Sequence, residues 1–447
     1  MLQKTKERRS NEFHPIGWVE KYVLDAALDE TATTFCHDYL TLYWAVRVSP
    51  APSPRALSRV FDKLVDRHEP LRLRFVNVGE EWNAEILPKH PVGLIIEDYG
   101  PLSKDEQAGL VIEHARRPLT ALSDALFEMR LLRFGPEGAV VMMRANHAIL
   151  DAYSVAQMVD DLIRLILRIP LGPPPLSYSE HTAFKDKQSL MSADEKERFW
   201  SKMLLPPPRE LNLGRAAKGL GPMVPSTIGR PRCVEPVLDQ TSSNRVEAWC
   251  LETGASAYAV LHAAFSETLC QLGATEAVYV NGIFGRSDAS LSSYVGASID
   301  VAPIRFVSSK RSFRESIKHV SDMIAAAAEH VPTHHLEPDS ALMQTIEGAG
   351  VDPLRFWVLA PMPTGRMKSS TFSGFFDKIM RGSFSVGPIT LEQVPIPSLA
   401  ATDAELELTI SQTVTGYQAT LYADSAGYTT KDLETIAAGI RAQLARV

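Results

Sequence analysis

Apolar and polar positions along this chain follow two periods in turn. Residues 53–69, SPRALSRVFDKLVDRHE, place Leu57, Val60, Phe61, Leu64 and Val65 at helical spacing, one stripe of a 3.6-residue turn. Ser53 suits an N-cap and Pro54 the first helical position, where a missing N–H does no harm. LRLRFVNV then alternates as a strand, Gly79 and the glutamates after it turn the chain, and WNAEIL returns. A second helix is expected near SKDEQAGLVIEHARR. FEMRLLRF and GAVVMMRANHA are β-rich runs separated by a Gly-Pro-Glu-Gly turn. SVAQMVDDLIRLILRI restores the helical period, with Val155, Met158, Val159, Leu162 and Ile166 on one face. Its Ser154 and Gln157 have capping-box spacing.

Two proline-rich stretches interrupt the pattern. IPLGPPPLSY (169–178) cannot continue a helix and reads as a linker. LLPPPRELNLG leads into a Gly/Pro/basic stretch at 214–232. Beyond it, ASAYAVLHAAFSETLCQLG is a long apolar helix ending at Gly273, and AVYVNGIFG is a strand of the buried type. VGASIDVAPIRF extends again, LELTISQ and YQATLYAD pair as a hairpin, and TTKDLETIAAGIRAQLARV is a final helix. Helices and strands are mixed in both halves, so the expected class is α/β, an α+β sandwich in two units.

Composition narrows the function classes. The chain has 447 residues, 45% hydrophobic and 22% charged, with a net charge of -7. That charge argues against nucleic acid as the main partner. There is no run of 18 apolar residues and no apolar h-region after the basic N-terminus, so neither a membrane span nor a signal peptide is expected. Cys36, Cys233, Cys250 and Cys270 form no CxxC pair; reduced thiols in a cytoplasmic protein are expected. No GxGxxG, P-loop, HExxH or GxSxG motif is present, so nucleotide cofactors, zinc hydrolysis and serine-hydrolase chemistry have no support.

Candidate chemistry centres on RANHAILDAYS (144–154), where His147 and Asp151 stand four apart between a strand and a helix. A histidine can accept and return a proton near neutral pH without help, and strand ends are common places for reacting groups. With 12 histidines and 53 acidic residues, chance pairs are also expected. The bland reading is a polar strand end with Asp151 capping the next helix. No third metal ligand is evident near this pair. A second cluster, THHLEPD with His334, His335, Glu337 and Asp339, reads as a metal site or a solvated loop, and no metal is assigned.

The order of blocks resembles the condensation domains of nonribosomal peptide synthetases and their free-standing relatives, within the chloramphenicol-acetyltransferase-like superfamily. The hallmark H-H-x-x-x-D-G reads here Asn146-His147-Ala148-Ile149-Leu150-Asp151-Ala152. LVDRHEPLRLRF is similar to R-H-E-x-L-R-T-x-F, and YSEHTAFKDKQ resembles Y-x-D-F/Y-A-x-W. The segment ending in Gly285-Arg286 and the block VGASIDVAPIRF also match, whereas EHVPTHHLEPDSAL matches H/N-Q-D-x-P-F-E poorly.

The resemblance implies two acetyltransferase-like lobes forming a V-shaped pseudo-dimer, 1–177 and 178–447, the second carrying bridging loops. A tunnel would run between them with the histidine midway. It implies acyl transfer from a thioester to an amine or hydroxyl acceptor, forming an amide or ester in specialised metabolism, including antibiotic and polyketide pathways. No cofactor would be bound. The acyl donor would be linked to phosphopantetheine on an acyl or peptidyl carrier protein met in trans, or to coenzyme A. His147 would be catalytic and Asn146 supportive. Asp151 would pair with Arg286 of the other lobe. Tyr153, Ser154 and Ser298 would line the substrate path. Ala152 stands where the hallmark has glycine; if that position needs positive φ, alanine would displace the loop. Basic Arg366, Lys368, Lys378 and Arg381 could meet an acidic carrier. A monomer is expected. The other readings are a coenzyme A-dependent O- or N-acyltransferase, a non-catalytic module recruiting carrier-bound intermediates, and a condensation-fold enzyme performing cyclisation or dehydration.

Overall fold

The computed structural model describes residues 13–28, 41–79, 81–117, 119–135, 138–189, 193–211, 213, 232–285, 291, 293–309, 311–331, 340–353, 355–360, 375–380, 382–396, 404–413, 416–425 and 427–446. In chain order the first half runs β1 (Phe13–Pro15), α1 (Trp18–Leu28), β2 (Thr41–Ser49) and α2 (Pro54–Arg67), then β3 (Leu73–Val78), β4 (Glu81–Ile86) and β5 (Ile95–Asp98). It continues with α3 (Lys104–Arg116), β6 (Phe127–Arg133), β7 (Ala139–Asn146) and α4 (Ala152–Leu167). After the linker come α5 (Tyr178–Ser189), α6 (Ala193–Leu204), β8 (Arg232–Pro236), α7 (Gln240–Thr253) and α8 (Ala257–Leu272). Next are β9 (Ala277–Gly285), β10 (Ile299–Val307), α9 (Phe313–His330), α10 (Ala341–Gly348) and β11 (Phe356–Leu359). The chain closes with α11 (Phe375–Met380), β12 (Ser383–Val386), β13 (Ile389–Gln393), β14 (Leu406–Thr413), β15 (Gly416–Asp424) and α12 (Thr430–Leu444).

Two six-stranded sheets organise two lobes, in the orders β12-β13-β2-β7-β6-β5 and β10-β9-β11-β14-β15-β8; β1, β4 and β3 form a small third sheet. Helices cover both faces of the first large sheet. Leu57, Phe61, Leu64 and Val65 of α2 and Met158, Val159, Leu162 and Ile163 of α4 pack on one face with Val46, Val141 and Met143. Val111 and Ala115 of α3 pack on the other with Ala45, Val140 and Met142. Every residue of β7 is buried, which explains its unbroken apolar run: a strand covered on both faces has no reason to alternate. The second lobe is built around α8, buried along nearly its whole length and packed with α12, α9 and the second sheet.

Most predicted elements form where the pattern placed them, β9 over Ala277–Gly285 among them. Ser53 does occupy the N-cap of α2, but its side chain makes no cap bond. The helix expected from Ser154 begins earlier, at Ala152. Asp151 is its N-cap, accepting from Ser154 N, and the predicted Ser154–Gln157 capping box does not form.

One element crosses between the lobes. The hairpin β12–β13 lies inside the 178–447 stretch expected to form the second lobe, yet it extends the first lobe's sheet. Thr390 to Gln393 pair antiparallel with Ser49 to Val46, and Leu391 enters the first core. The pairing covers the backbone groups that β2 would otherwise leave open at its edge. Glu392 meets Arg47 at 3.2 Å and Lys104 at 3.0 Å. Just before the hairpin, Phe375 N at the start of α11 donates to Asp160 Oδ1 of α4 at 2.6 Å.

Candidate active site

His147 follows the last residue of β7 and precedes α4, in a tight turn closed by Ile149 N donating to Asn146 O at 3.1 Å. The turn is held from behind by buried polar groups. Asn146 Nδ2 donates to Leu119 O at 2.8 Å, and Asn146 Oδ1 accepts from Ala148 N at 2.9 Å. Two residues back on the same face, Arg144 donates to His114 O at 2.9 Å and Arg117 O at 2.5 Å. Those carbonyls lie at the C-terminal end of α3, the negative end of its dipole, so a buried guanidinium is accommodated there. The asparagine that replaces the first histidine of the hallmark is thus a structural brace with both ends of its amide engaged.

The turn is held from the front by the second lobe. Asp151 is 1% exposed. Its Oδ1 accepts from Ser154 N at 2.7 Å and its Oδ2 from Ser298 N at 3.1 Å. Ser154 Oγ donates to Gly296 O at 2.6 Å and accepts from Gly296 N at 2.8 Å. The helix that starts beside His147 is therefore pinned to the segment leading into β10. Ser154 and Ser298, expected to line the substrate path, are buried in this junction and engaged by these bonds. Tyr153 is half-buried and lies near Tyr258 of α8. Arg286, the expected partner of Asp151, lies outside the described residues, as do His334, His335, Glu337, Asp339, Arg366, Lys368 and Arg381. Lys378 is exposed and stands over the Phe384 ring at 5.0 Å.

Ala152 is the first residue of α4. Among the described residues only Arg168 and Ala274 combine positive φ with a side chain, so the backbone at 152 does not call for glycine. This removes the anticipated strain: at a helix start the backbone is right-handed, and alanine is the better helix former there. The first N–H groups of a helix have no intrahelical acceptor and carry the positive end of its dipole.

His147 is half-buried. Desolvation pulls its pKa below the ordinary histidine value, against smaller opposing effects of its own backbone and the Asp151 charge. At pH 7 the imidazole is neutral, the form that can accept a proton. Trp44, Met143, Leu150, Val155 and Met158 line a small, mostly apolar cleft between β2, β7 and α4.

The Arg67-His68-Glu69 block had a visible sequence signal but no assigned role. Arg67 Nε donates to Asp161 Oδ2 at 2.8 Å, and His68 Nε2 lies 3.0 Å from the same oxygen. Arg67 also reaches Pro173 O of the linker at 2.6 Å, and Glu69 Oε2 accepts from Tyr178 N at 2.8 Å. The block thus fastens α4, the linker and α5 together. Among the described residues there is no group of three or more His, Cys, Asp or Glu side chains able to hold a metal ion. No helix among them is long and apolar enough to cross a membrane.

Comparison with known proteins agrees with this architecture. A solved structure of SgcC5 protein from Streptomyces globisporus is similar over 96% of this chain and 97% of its own, with a TM-score of 0.72 and 20% identity. The X-domain from teicoplanin biosynthesis is similar over 98% and 96%, with a TM-score of 0.74 and 16% identity. Surfactin synthase subunit 2 of Bacillus subtilis is 25% identical over 283 residues, 61% of this chain and 8% of that protein. The chain spans between 2% and 11% of the length of the curated relatives it matches. The condensation domain family model matches residues 38–349, which include His147, Asp151 and Ser298. The chain belongs to the condensation domain family.

Proposed function

We propose that this chain transfers an acyl group from a thioester to an amine or hydroxyl, forming an amide or ester, with His147 as the base. The observation that carries the reading is the setting of His147: half-buried, and in a turn held from behind by Asn146 and from the front by the Asp151–Ser298 bond to the second lobe. As the acceptor nitrogen or oxygen bonds to the thioester carbonyl, its proton passes to His147. The C–S bond then breaks, and the departing sulfur takes that proton back. General-base help of this kind contributes typically about 100- to 10,000-fold. The Ala152 N–H, at the start of α4, is a candidate donor to the developing oxyanion.

The donor would be carried on phosphopantetheine by a carrier protein, as suits a relative of peptide synthetases, with coenzyme A as the alternative source. An alcohol acceptor is supported by the SgcC5 structure, whose complex contains (R)-(-)-1-(2-naphthyl)-1,2-ethanediol. The expected Asp151–Arg286 pair is kept as part of the proposal. Gly285 is registered against Ile299, the residue after Ser298, so β9 ends beside the atom that already holds Asp151. The recruitment reading drew on Ala152, and a right-handed backbone there takes that motive away.

The test is thiol release from acyl-pantetheine thioesters and from loaded carrier proteins, with amine and alcohol acceptors, for wild type and His147→Ala. Acceptor-dependent release that falls at least about tenfold in the variant supports acyl transfer through His147. Silence of both proteins, together with measurable carrier binding, would replace it with a recruitment role.

A further inference from the structure

Helix α5 touches both lobes through one face. Tyr178, His181 and Lys185 lie three and four residues apart, so they share that face. At its start, Tyr178 N donates to Glu69 of the first lobe at 2.8 Å, and the buried Tyr178 hydroxyl donates to Pro15 O of β1 at 3.5 Å. One turn on, His181 Nε2 is 3.0 Å from Ser298 Oγ. Its ring stacks on Tyr294, with centroids 3.9 Å apart and planes 9° apart. A further turn on, Lys185 Nζ pairs with Asp300 Oδ2 of β10 at 2.7 Å. All three contacts to the second lobe fall within residues 294–300, the segment that holds the turn carrying His147.

Ser298 reaches in two directions. Its N–H donates to Asp151 Oδ2 and its hydroxyl meets His181. Ser298, Tyr294 and Asp151 are each 1% exposed and His181 is 5% exposed, so water cannot easily replace these partners. With the side chain of Ser298 anchored and Gly296 clasped by Ser154, the Ser298 peptide has little freedom to swing away from Asp151. We propose that His181 is a positioning residue for His147, acting through Ser298 and Asp151. The inference rests on the reading of His147 as the reacting histidine. The histidine at 181 supplies two separable things, a flat ring for Tyr294 and a ring nitrogen for Ser298.

The experiment uses the full chain as wild type, His181→Phe, which keeps the flat ring and loses the nitrogen, and His181→Gln, which keeps a polar reach and loses the ring. Ser298→Ala removes the same bond from its other end, and His147→Ala is the inactive reference. Two signals are read: kcat and KM separately with an acyl-pantetheine thioester, and the imidazole resonances of 15N-histidine-labelled protein, with His147 assigned by its absence in His147→Ala. His181→Phe and Ser298→Ala are expected to lower kcat roughly tenfold at unchanged KM, beyond what any loss of folded fraction at the assay temperature accounts for. Both should move the His147 resonances, whereas His181→Gln should leave them in place and retain most of kcat. Wild-type kcat and unmoved His147 resonances in His181→Phe would overturn the proposal. So would activity that falls in all variants only in proportion to the folded fraction. A wild type silent with every thioester would count against acyl transfer, and the resonances would still decide whether His181 positions His147.

Discussion

The Asp151 carboxylate of the first lobe accepts the backbone N–H of Ser298 in the second at 3.1 Å, while its other oxygen caps the helix that starts beside His147. One side chain thereby sets both the helix start and the register between lobes. Asp151→Ala should forfeit the cap and leave the Ser298 N–H buried and unpaired, a combined loss of about 3 kcal/mol. Denaturant unfolding should show it, with Asp151→Asn, which keeps one amide oxygen, losing less. Equal stability of wild type and Asp151→Ala would contradict this role.

Asn146 bonds Leu119 O with one end of its amide and Ala148 N with the other, at full burial. Asn146→Ala would strand both partners and should cost roughly 2–4 kcal/mol, with a loss of activity because Ala148 adjoins His147. Asn146→His, the residue of the family hallmark, is expected to restore less than full stability, since an imidazole is shaped differently from the amide this pocket holds. A calorimetric melt of the three proteins decides it.

Ala152→Gly tests whether the departure from the hallmark matters. The backbone at 152 is the start of α4 and does not have positive φ, so glycine relieves no strain. Stability should fall by at most about 1 kcal/mol, and kcat should stay within about twofold because the N–H is unchanged. A large gain in activity would mean that the Ala152 methyl obstructs the substrate.

The pH–rate profile should carry an acid limb below the ordinary histidine range. Desolvation lowers the His147 pKa, and only the neutral imidazole accepts a proton. Activity is therefore lost as pH falls through that depressed pKa and is level above it. The same shift makes a stability contribution that is present above the unfolded value of 6.5 and is lost as pH falls through the folded one. An inflection above 6.5 in kcat/KM would show that another group controls the rate.

Glu20 has the opposite sign. Burial pushes its pKa from 4.5 up to about 7, against opposing hydrogen bonds, including one from Tyr178, and the nearby charge of Lys185. Its protonated form is favoured on folding, so this contribution is present below the unfolded pKa and is lost as pH rises through about 7. Glu20→Gln should be more stable than wild type at pH 8, by up to about 3 kcal/mol, with the difference closing by pH 5. Melting curves at both pH values measure it; a variant less stable at pH 8 would mean that the charged carboxylate is compensated by its partners.

Local patterns carried much of the molecule. The stripe Leu57-Phe61-Leu64-Val65, the unbroken apolar run of β7 and the strand AVYVNGIFG were legible because each reports burial of its own element, and burial leaves a period in the sequence. The candidate block around His147 was legible because a histidine and an aspartate four apart at a strand end stand in an order of blocks that resembles the family. What tertiary structure alone decided is how distant segments meet. Nothing in SFSVGPITLEQ names β2 as its partner, since strand pairing depends on an open edge elsewhere in the fold. Nothing near Ser154 or Ser298 shows that their polar groups are spent on Gly296, Asp151 and His181, more than 110 residues away in chain. Even Asp151, recognisable as a helix cap, gained its second role only when the other lobe brought a backbone N–H to its other oxygen. Such contacts follow from the packing of whole lobes, and a hydrogen-bonding side chain looks the same in sequence whether it faces water, substrate or a buried amide.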